Sequence, residues 1–267
     1  MSTINTNVSS LNAQRNLMSS KESLAVSLQR LSSGLRVNSS KDDAAGLAIA
    51  DRMNAQIRGI NVAIRNANDG VSLAQTAEGA LATMSDVFQR MRELAIQAQN
   101  GSNGTSDRAN LNTEYQQLSA EVTRIAAQTK FNGTAIVGAG AGAQQFQIGP
   151  NNGDTLVVTT ATVATVAGDL TTAANASTAV AALDTALDTV TTSRATYGAA
   201  MSRFQFAISN LQITGENQSA ARGRIMDADY AAETAALARA QILQQAGTAM
   251  VAQANQLPSQ VLTLLRG

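Results

Sequence analysis

The sequence predicts a mainly α protein, in which long antiparallel helices form a coiled-coil rod with a small β-hairpin region near the middle. Apolar residues recur at spacings of three and four over long stretches at both ends of the chain. Only two prolines, Pro150 and Pro258, interrupt 267 residues. Residues 134–182, in contrast, are rich in Ala, Thr, Gly and Val and nearly free of charge. We therefore expect paired N- and C-terminal helices on either side of a short β region.

The N-terminal half carries two successive helical patterns. The first is a leucine repeat with spacings of 7, 4, 3 and 4, formed by Leu17, Leu24, Leu28, Leu31 and Leu35. The second runs from Ile57 to Ala98 at alternating spacings of 3 and 4, with one slip between Ala74 and Ala77. A single helix over 57–98 would be about 63 Å long at 1.5 Å per residue. This length is typical of a helical rod.

Three further heptad patterns follow, from Leu111 to Ile125, from Leu183 to Leu211 and from Leu243 to Leu264. Asn100–Gly101 and Asn132–Gly133 carry residue types typical of helix ends and turns. Heptads alone do not name their partners, so the pairing of the two ends is an inference.

The middle of the chain predicts a β-hairpin. Gln145–Gly149 and Thr155–Thr159 alternate apolar and polar residues on either side of the turn Pro150–Asp154. Residues 160–182 are compatible with strand or loop, and residues 159–182 are expected to tolerate shortening or replacement. The predicted domains are a terminal coiled-coil domain, 1–44 with 227–267, and a helical rod domain, 45–226, which holds the hairpin region at about 134–160.

The composition excludes several classes of function. Cys and His are absent, which removes disulfides, thiolate metal sites and His-dependent catalysis. Lys and Arg together number 19, as do Asp and Glu, so the net charge is zero. The chain therefore has no excess of positive charge with which to bind nucleic acid or an anionic membrane. Apolar runs are too short for a membrane span, and the N-terminus has no apolar signal-peptide segment. We predict that the chain is not an enzyme and needs no cofactor.

Short polar motifs each have a structural interpretation beside a functional one. Arg90 and Leu94 are four residues apart, so they share a helix face, which is either a solvated face or a contact surface. Asp227 and Asp229 suit a helix start better than a metal site, because no third acidic cluster accompanies them. Ser40–Asp43 fits a capping box, and the glycines of 138–142 read as flexible linker.

Longer stretches carry a specific resemblance. The segment LQRLSSGLRVNSSKDDAAGLAIA, residues 28–50, resembles the N-terminal hallmark of bacterial flagellin. The segment RAQILQQAG, residues 239–247, together with Leu264–Arg266, resembles the C-terminal hallmark of the same family. The resemblance covers about residues 1–158 and 183–266, and the short unassigned middle is similar to a minimal flagellin that lacks outer variable domains.

The resemblance implies a subunit that polymerises with copies of itself into the extracellular flagellar filament, exported without a cleaved signal peptide. It also implies export-chaperone, hook-junction and cap partners, and recognition by the host Toll-like receptor 5. The alternative is a hook–filament junction protein. The receptor- or subunit-contact residues carried over by the resemblance are Gln89, Arg90, Leu94, Gln97 and Glu114. The residues expected to form the assembly core are Leu24, Leu28, Leu31, Leu35, Leu243, Met250, Leu257, Val261 and Leu264.

Overall fold

The computed structural model describes residues 6–160, 162–163 and 165–266, with side chains as far as residue 256. The described residues form long helices and two short hairpins, which confirms the predicted fold class. The elements are α1 (Val8–Ser33), α2 (Ala44–Gln99), α3 (Thr105–Gln128), β1 (Lys130–Phe131), β2 (Thr134–Ala135), β3 (Gln144–Gln147), β4 (Thr155–Val158), α4 (Ala173–Met226) and α5 (Tyr230–Arg266).

The chain folds as two compact units. The terminal unit consists of Met1–Ala55 and Asn217–Gly267, and the central unit is Gln56–Glu216. The predicted boundaries at 44/45 and 226/227 fall at helix ends, whereas the two units divide within α2 and α4. Because α2 and α4 each contain residues of both units, the ends of these helices do not mark the division.

The helix starts and stops of the terminal unit follow from local capping chemistry. Asn7 accepts a hydrogen bond from the Ser10 amide at the start of α1, and Gly34 ends that helix in the left-handed region at φ 71°. Asp43, rather than Ser40, caps α2 by accepting from the Gly46 amide at 2.8 Å. Asp229 accepts from the amides that follow it at the start of α5, as the sequence predicts.

Helices α1 and α5 pair antiparallel, and we call them the terminal pair. Asn7 donates to the Ala254 carbonyl at 2.7 Å near one end, and the Tyr230 hydroxyl donates to the Leu31 carbonyl at 3.0 Å near the other. Beyond the ends of the helices, residues 34–37 and 225–228 continue as paired backbone, with the Arg36 amide 2.7 Å from the Met226 carbonyl. The predicted pairing of the two termini is therefore confirmed.

The central unit packs its α2, α3 and α4 segments around a main apolar core, and Ile60, Ala63 and Leu211 form a second, smaller cluster between α2 and α4. Its antiparallel α2 and α4 segments are linked by ion pairs from Glu78 to Arg194 and from Arg92 to Asp184. The heptad positions predicted for α2 and α4 are buried or half-buried, so periodicity located these faces correctly. The largest fully buried side chains of this core include Leu81, Met84, Phe88, Met91, Leu94, Tyr115, Ile136, Leu170, Leu183, Tyr197 and Phe204.

Two hairpins pack against this core. The predicted one is β3 with β4, in which Phe146 lies opposite Leu156. The other, β1 with β2, turns at Asn132–Gly133, where both residues adopt positive φ as a tight hairpin turn requires. Gly138, expected to lie in flexible linker, is instead buried at φ 89° against Ala126.

Residues 165–172, which we call the strap, form neither helix nor strand and run along α3 in the opposite chain direction. Three α3 side chains hold its backbone: Asn112 accepts from the Leu170 amide at 2.9 Å, Gln116 donates to the Gly168 carbonyl at 2.6 Å, and Ser119 donates to the Val166 carbonyl at 3.0 Å. Val166 and Leu170 point into the core. For 160–182 the sequence left strand or loop open; the structure shows no strand in 165–172 and helix from Ala173, so both alternatives were wrong for residues 173–182. Residues 161 and 164 lie outside the described residues.

Candidate interaction surfaces

The contact between α1 and α5 is a strict heptad seam of mostly small residues. Buried or half-buried positions on α1 recur at spacings of 3 and 4, and α5 shows the same alternation. On α1 the seam positions are Ser10, Ala13, Leu17, Ser20, Leu24, Ser27 and Leu31, and on α5 they are Glu233, Leu237, Ala240, Gln244, Gly247, Val251 and Ala254.

Small seam residues let the two helices approach closely. A Cβ atom on Gly247 would lie 3.2 Å from Leu17 Cδ1, so this glycine admits the leucine against the backbone of α5. The seam also holds polar groups, because Ser10 and Ser27 are buried and Ser10 donates to Asn255 at 2.7 Å. The seam therefore combines aliphatic contacts with buried polar groups.

The structure divides the residues predicted for the assembly core between two faces. Leu24, Leu31 and Leu35 are half-buried within the terminal unit. Leu28 and Leu243 are both 51% exposed, and Met250 is 62% exposed. Leu243 and Met250 therefore lie outside the α1–α5 seam, because a helix with two apolar faces offers two heptad phases. Their place in the assembly core between subunits stays a prediction. The side chains of Leu257, Val261 and Leu264 lie outside the described part.

Apolar side chains line the outer surface of the terminal pair at unusual density. Val8, Leu11 and Met18 recur at heptad spacing on the side of α1 away from the seam, and Met18 is 69% exposed. Sequence reasoning missed this second stripe, although its spacing of 3 and 7 was visible in the N-terminal residues. An exposed apolar face of this kind marks a site of association.

On the central unit, the predicted contact residues centre on an ion-pair cluster. Arg90 donates to Glu114 through Nε and Nη2, at 3.0 and 2.9 Å, and to Glu93 through Nη1 at 3.1 Å. These hydrogen bonds, first to Glu114 and then to Glu93, raise the pKa of Arg90 above its usual value. The cluster joins α2 to α3 at the surface and remains half exposed.

The remaining predicted contact residues do not all share this surface. Gln89 and Gln97 are exposed, as a contact role requires. Leu94, in contrast, is only 1% exposed and belongs to the apolar core, so the prediction that it forms one exposed patch with Arg90 is corrected. The cause is the heptad phase: Leu94 follows Met91 by three residues and continues the buried face of α2.

The described residues hold neither a candidate metal site nor a candidate membrane-spanning helix. Among the described residues, no group of three or more acidic side chains could hold a metal ion. Asp227 and Asp229 flank the start of α5, where Asp229 caps the helix. Within the part of the chain that the structure describes, no helix is both long enough and apolar enough to cross a membrane.

Comparisons with known proteins agree with this architecture. The profile of the bacterial flagellin N-terminal helical region matches residues 4–139, and that of the C-terminal helical region matches residues 180–265. Flagellin of Halalkalibacterium halodurans is 44% identical over 270 residues, which cover 98% of this chain and 99% of the relative.

More distant relatives extend the comparison. Flagellin B of Vibrio cholerae is 33% identical over 371 residues, covering 98% of this chain and 99% of the relative; the alignment exceeds this chain in length because the relative carries additional residues. A crystal structure of Bacillus cereus flagellin is 32% identical, with a TM-score of 0.52 over 55% of this chain and 88% of that chain. With both helical regions matched and similarity over nearly its whole length, the chain belongs to the bacterial flagellin family.

Proposed function

We propose that this chain is a structural subunit that assembles with copies of itself into the extracellular filament of the bacterial flagellum. The observation that carries the proposal is the exposed apolar surface of the terminal pair, which no other described residue of the terminal unit covers. Membership of a family of structural proteins supports it. The relatives are flagellins, which disfavours the alternative of a hook–filament junction protein.

Assembly would be driven by burial of this surface between neighbouring subunits. Each Å² of apolar surface removed from water contributes about 25 cal/mol. The seam inside the terminal pair leaves Leu11, Met18 and Met250 exposed, so contacts with neighbours would bury them. An open helical polymer forms when the two contacting patches differ and their rotation does not close a ring.

The test is polymerisation of the purified chain, started by salt-induced precipitation and followed by electron microscopy. The intact chain should form filaments. Deletion of residues 1–40 or 228–267 should abolish them, while circular dichroism still reports the helices of the central unit. Filaments formed by either truncated chain would contradict the proposal.

The finer proposal concerns localisation and partners. Export would proceed unfolded and without signal cleavage, through the flagellar export apparatus with its chaperone, and growth would involve the hook-junction and cap proteins. This part rests on the resemblance of the two terminal hallmarks. Mass spectrometry of the N-terminus of filaments sheared from cells tests it, because an intact first segment is expected.

A second finer proposal is that the Arg90–Glu114 surface binds Toll-like receptor 5. Its support is an exposed, hydrogen-bonded charge cluster at positions that resemble the family's contact residues. Arg90→Ala should weaken binding of the monomer to the receptor ectodomain by roughly the 1–4 kcal/mol typical of interface hot spots. Arg124→Ala is the matched control, because Arg124 is another exposed arginine with an intrahelical partner, Glu121. Equal affinity for both variants would contradict this role.

A further inference from the structure

A groove runs along one face of the terminal pair. One hollow of about 380 Å³ is lined by Asn12, Asn16 and Ser20 of α1 and by Leu243, Ala246 and Met250 of α5. A second hollow, of about 260 Å³, shares Ser20 and Leu243 with the first and extends to Arg239. We call the two together the docking groove. Its large exposed apolar side chains, Leu243 and Met250, come from α5, while α1 contributes Ala13 and Leu17. The guanidinium group of Arg239 lies at one end.

The opposite side of α1 carries a stripe that matches this groove in spacing. Leu11, Met18 and Glu22 are separated by seven and four residues, and all three are exposed. Along α5 the groove residues Met250, Leu243 and Arg239 are also separated by seven and four. Seven residues span about 10.5 Å and four about 6 Å in any α-helix, so the two sets superimpose when the helices run antiparallel.

The charges at the ends of the two sets are complementary. Within the described residues neither Glu22 nor Arg239 forms an ion pair, although both are exposed. Placing Leu11 beside Met250 and Met18 beside Leu243 brings Glu22 beside Arg239. The apolar contacts supply the attraction and the charge pair fixes the register.

We propose that the docking groove receives the Leu11–Met18–Glu22 stripe of α1 from a second copy of this chain. The inference rests on the proposed function and identifies one of its contacts. Stripe and groove are different patches on one molecule, so each bound copy leaves its own groove free, and the contact propagates rather than closing a dimer.

The first test uses the absence of cysteine in this chain. Met18→Cys and Leu243→Cys are made in separate chains, mixed, polymerised and mildly oxidised. A disulfide forms only when Cα atoms approach within about 7 Å. Mixed filaments should give disulfide-linked dimers on a non-reducing gel, and filaments of either variant alone should give none. Mixed filaments without linked dimers would refute the contact, whereas a wild-type chain that forms no filaments would refute the proposed function instead.

The second test reverses the charges. Glu22→Arg or Arg239→Glu should each raise the critical concentration for polymerisation about tenfold, because like charges would face each other. The double variant should return it to within about twofold of wild type. Lys21→Glu is the control, because its exposed side chain lies off the stripe and should leave the value unchanged. Unaffected single variants, or a double variant as impaired as the singles, would refute the pairing; circular dichroism of each monomer verifies the fold.

Discussion

The ring of Phe204 in α4 lies directly against the bare backbone of Gly70 in α2. A Cβ atom at residue 70 would lie 2.8 Å from Phe204 Cε1 and closer still to Cζ. The same ring meets Phe146 of β3 edge-on, with centroids 5.4 Å apart and an angle of 87° between the planes. Gly70 therefore sets the position of a phenylalanine that joins two helices and a hairpin of the central unit.

Gly70→Ala should destabilise the central unit, although alanine is the better helix former. Overpacking of a filled core costs about 1–3 kcal/mol, which outweighs the gain of about 1 kcal/mol in helix propensity. Gly79→Ala in the same helix is the control, since nothing lies within 4 Å of its added methyl group. Thermal unfolding should show a lower midpoint for the first and a higher one for the second; the same sign for both would contradict the prediction.

Two buried tyrosines should respond oppositely to loss of the hydroxyl group. Tyr115 is fully buried and its hydroxyl has no hydrogen-bond partner among the described residues, whereas the Tyr197 hydroxyl donates to the Ile136 carbonyl at 2.9 Å. An unsatisfied buried polar group costs about 1–3 kcal/mol, and a satisfied bond contributes about 1 kcal/mol. Denaturant titration should show that Tyr115→Phe stabilises the chain and Tyr197→Phe destabilises it.

Tyr115 also predicts a loss of stability in alkali. Burial raises the pKa of Tyr115 above its usual value, because the phenolate is disfavoured there. The folded state then holds its proton above about pH 10, where the unfolded state releases it, so stability is complete below that pH and falls as the pH rises. Tyr115→Phe should reduce the slope of unfolding free energy against pH above 10. An unchanged slope would count against this assignment.

Alanine substitutions at Arg90 and Leu94 should have different effects on the stability of the chain. Leu94→Ala opens a cavity in the core and should cost about 2–5 kcal/mol. Arg90→Ala removes only an exposed ion pair and should leave the unfolding midpoint unchanged. A loss of receptor binding in Leu94→Ala would therefore report damage to the core. Only a variant that is fully folded at the assay temperature can report a contact between Leu94 and the receptor. A midpoint for Leu94→Ala equal to wild type would contradict its place in the core.

Insertions should be tolerated at the β3–β4 turn and not in the strap. Asn152 and Gly153 are exposed at the hairpin tip, whereas Leu170 is fully buried and its amide is held by Asn112. A five-residue Gly/Ser insert after Asn152 should preserve filaments, and the same insert after Gly168 should lower the unfolding midpoint. The expectation that most of residues 159–182 can be replaced should therefore exclude the strap. Equal midpoints for the two inserts would restore it.

Sequence periodicity located the long helices because burial on one face imposes a repeat of three and four. It did not place Leu28 and Leu243 outside the α1–α5 seam, because α1 and α5 carry two apolar faces and a repeat does not say which face meets the partner helix. Asn–Gly and the capping aspartates are local signals, so the turns and helix starts followed from them. The strap could not be foreseen, because its three hydrogen bonds join residues 47 to 58 positions apart in a stretch of weak apolar character.

The strap is gripped through its main chain, and every amino acid presents the same carbonyl and, proline excepted, the same amide. Its outward residues, among them Thr165 and Ala167, are exposed, and no hydrogen bond to α3 uses their side chains. Mutation can therefore alter the surface that this segment presents while its path over α3 stays fixed. Sequence variation without a change of backbone path is therefore the expected evolutionary behaviour of Thr165 and Ala167, whereas Val166 is held in the core.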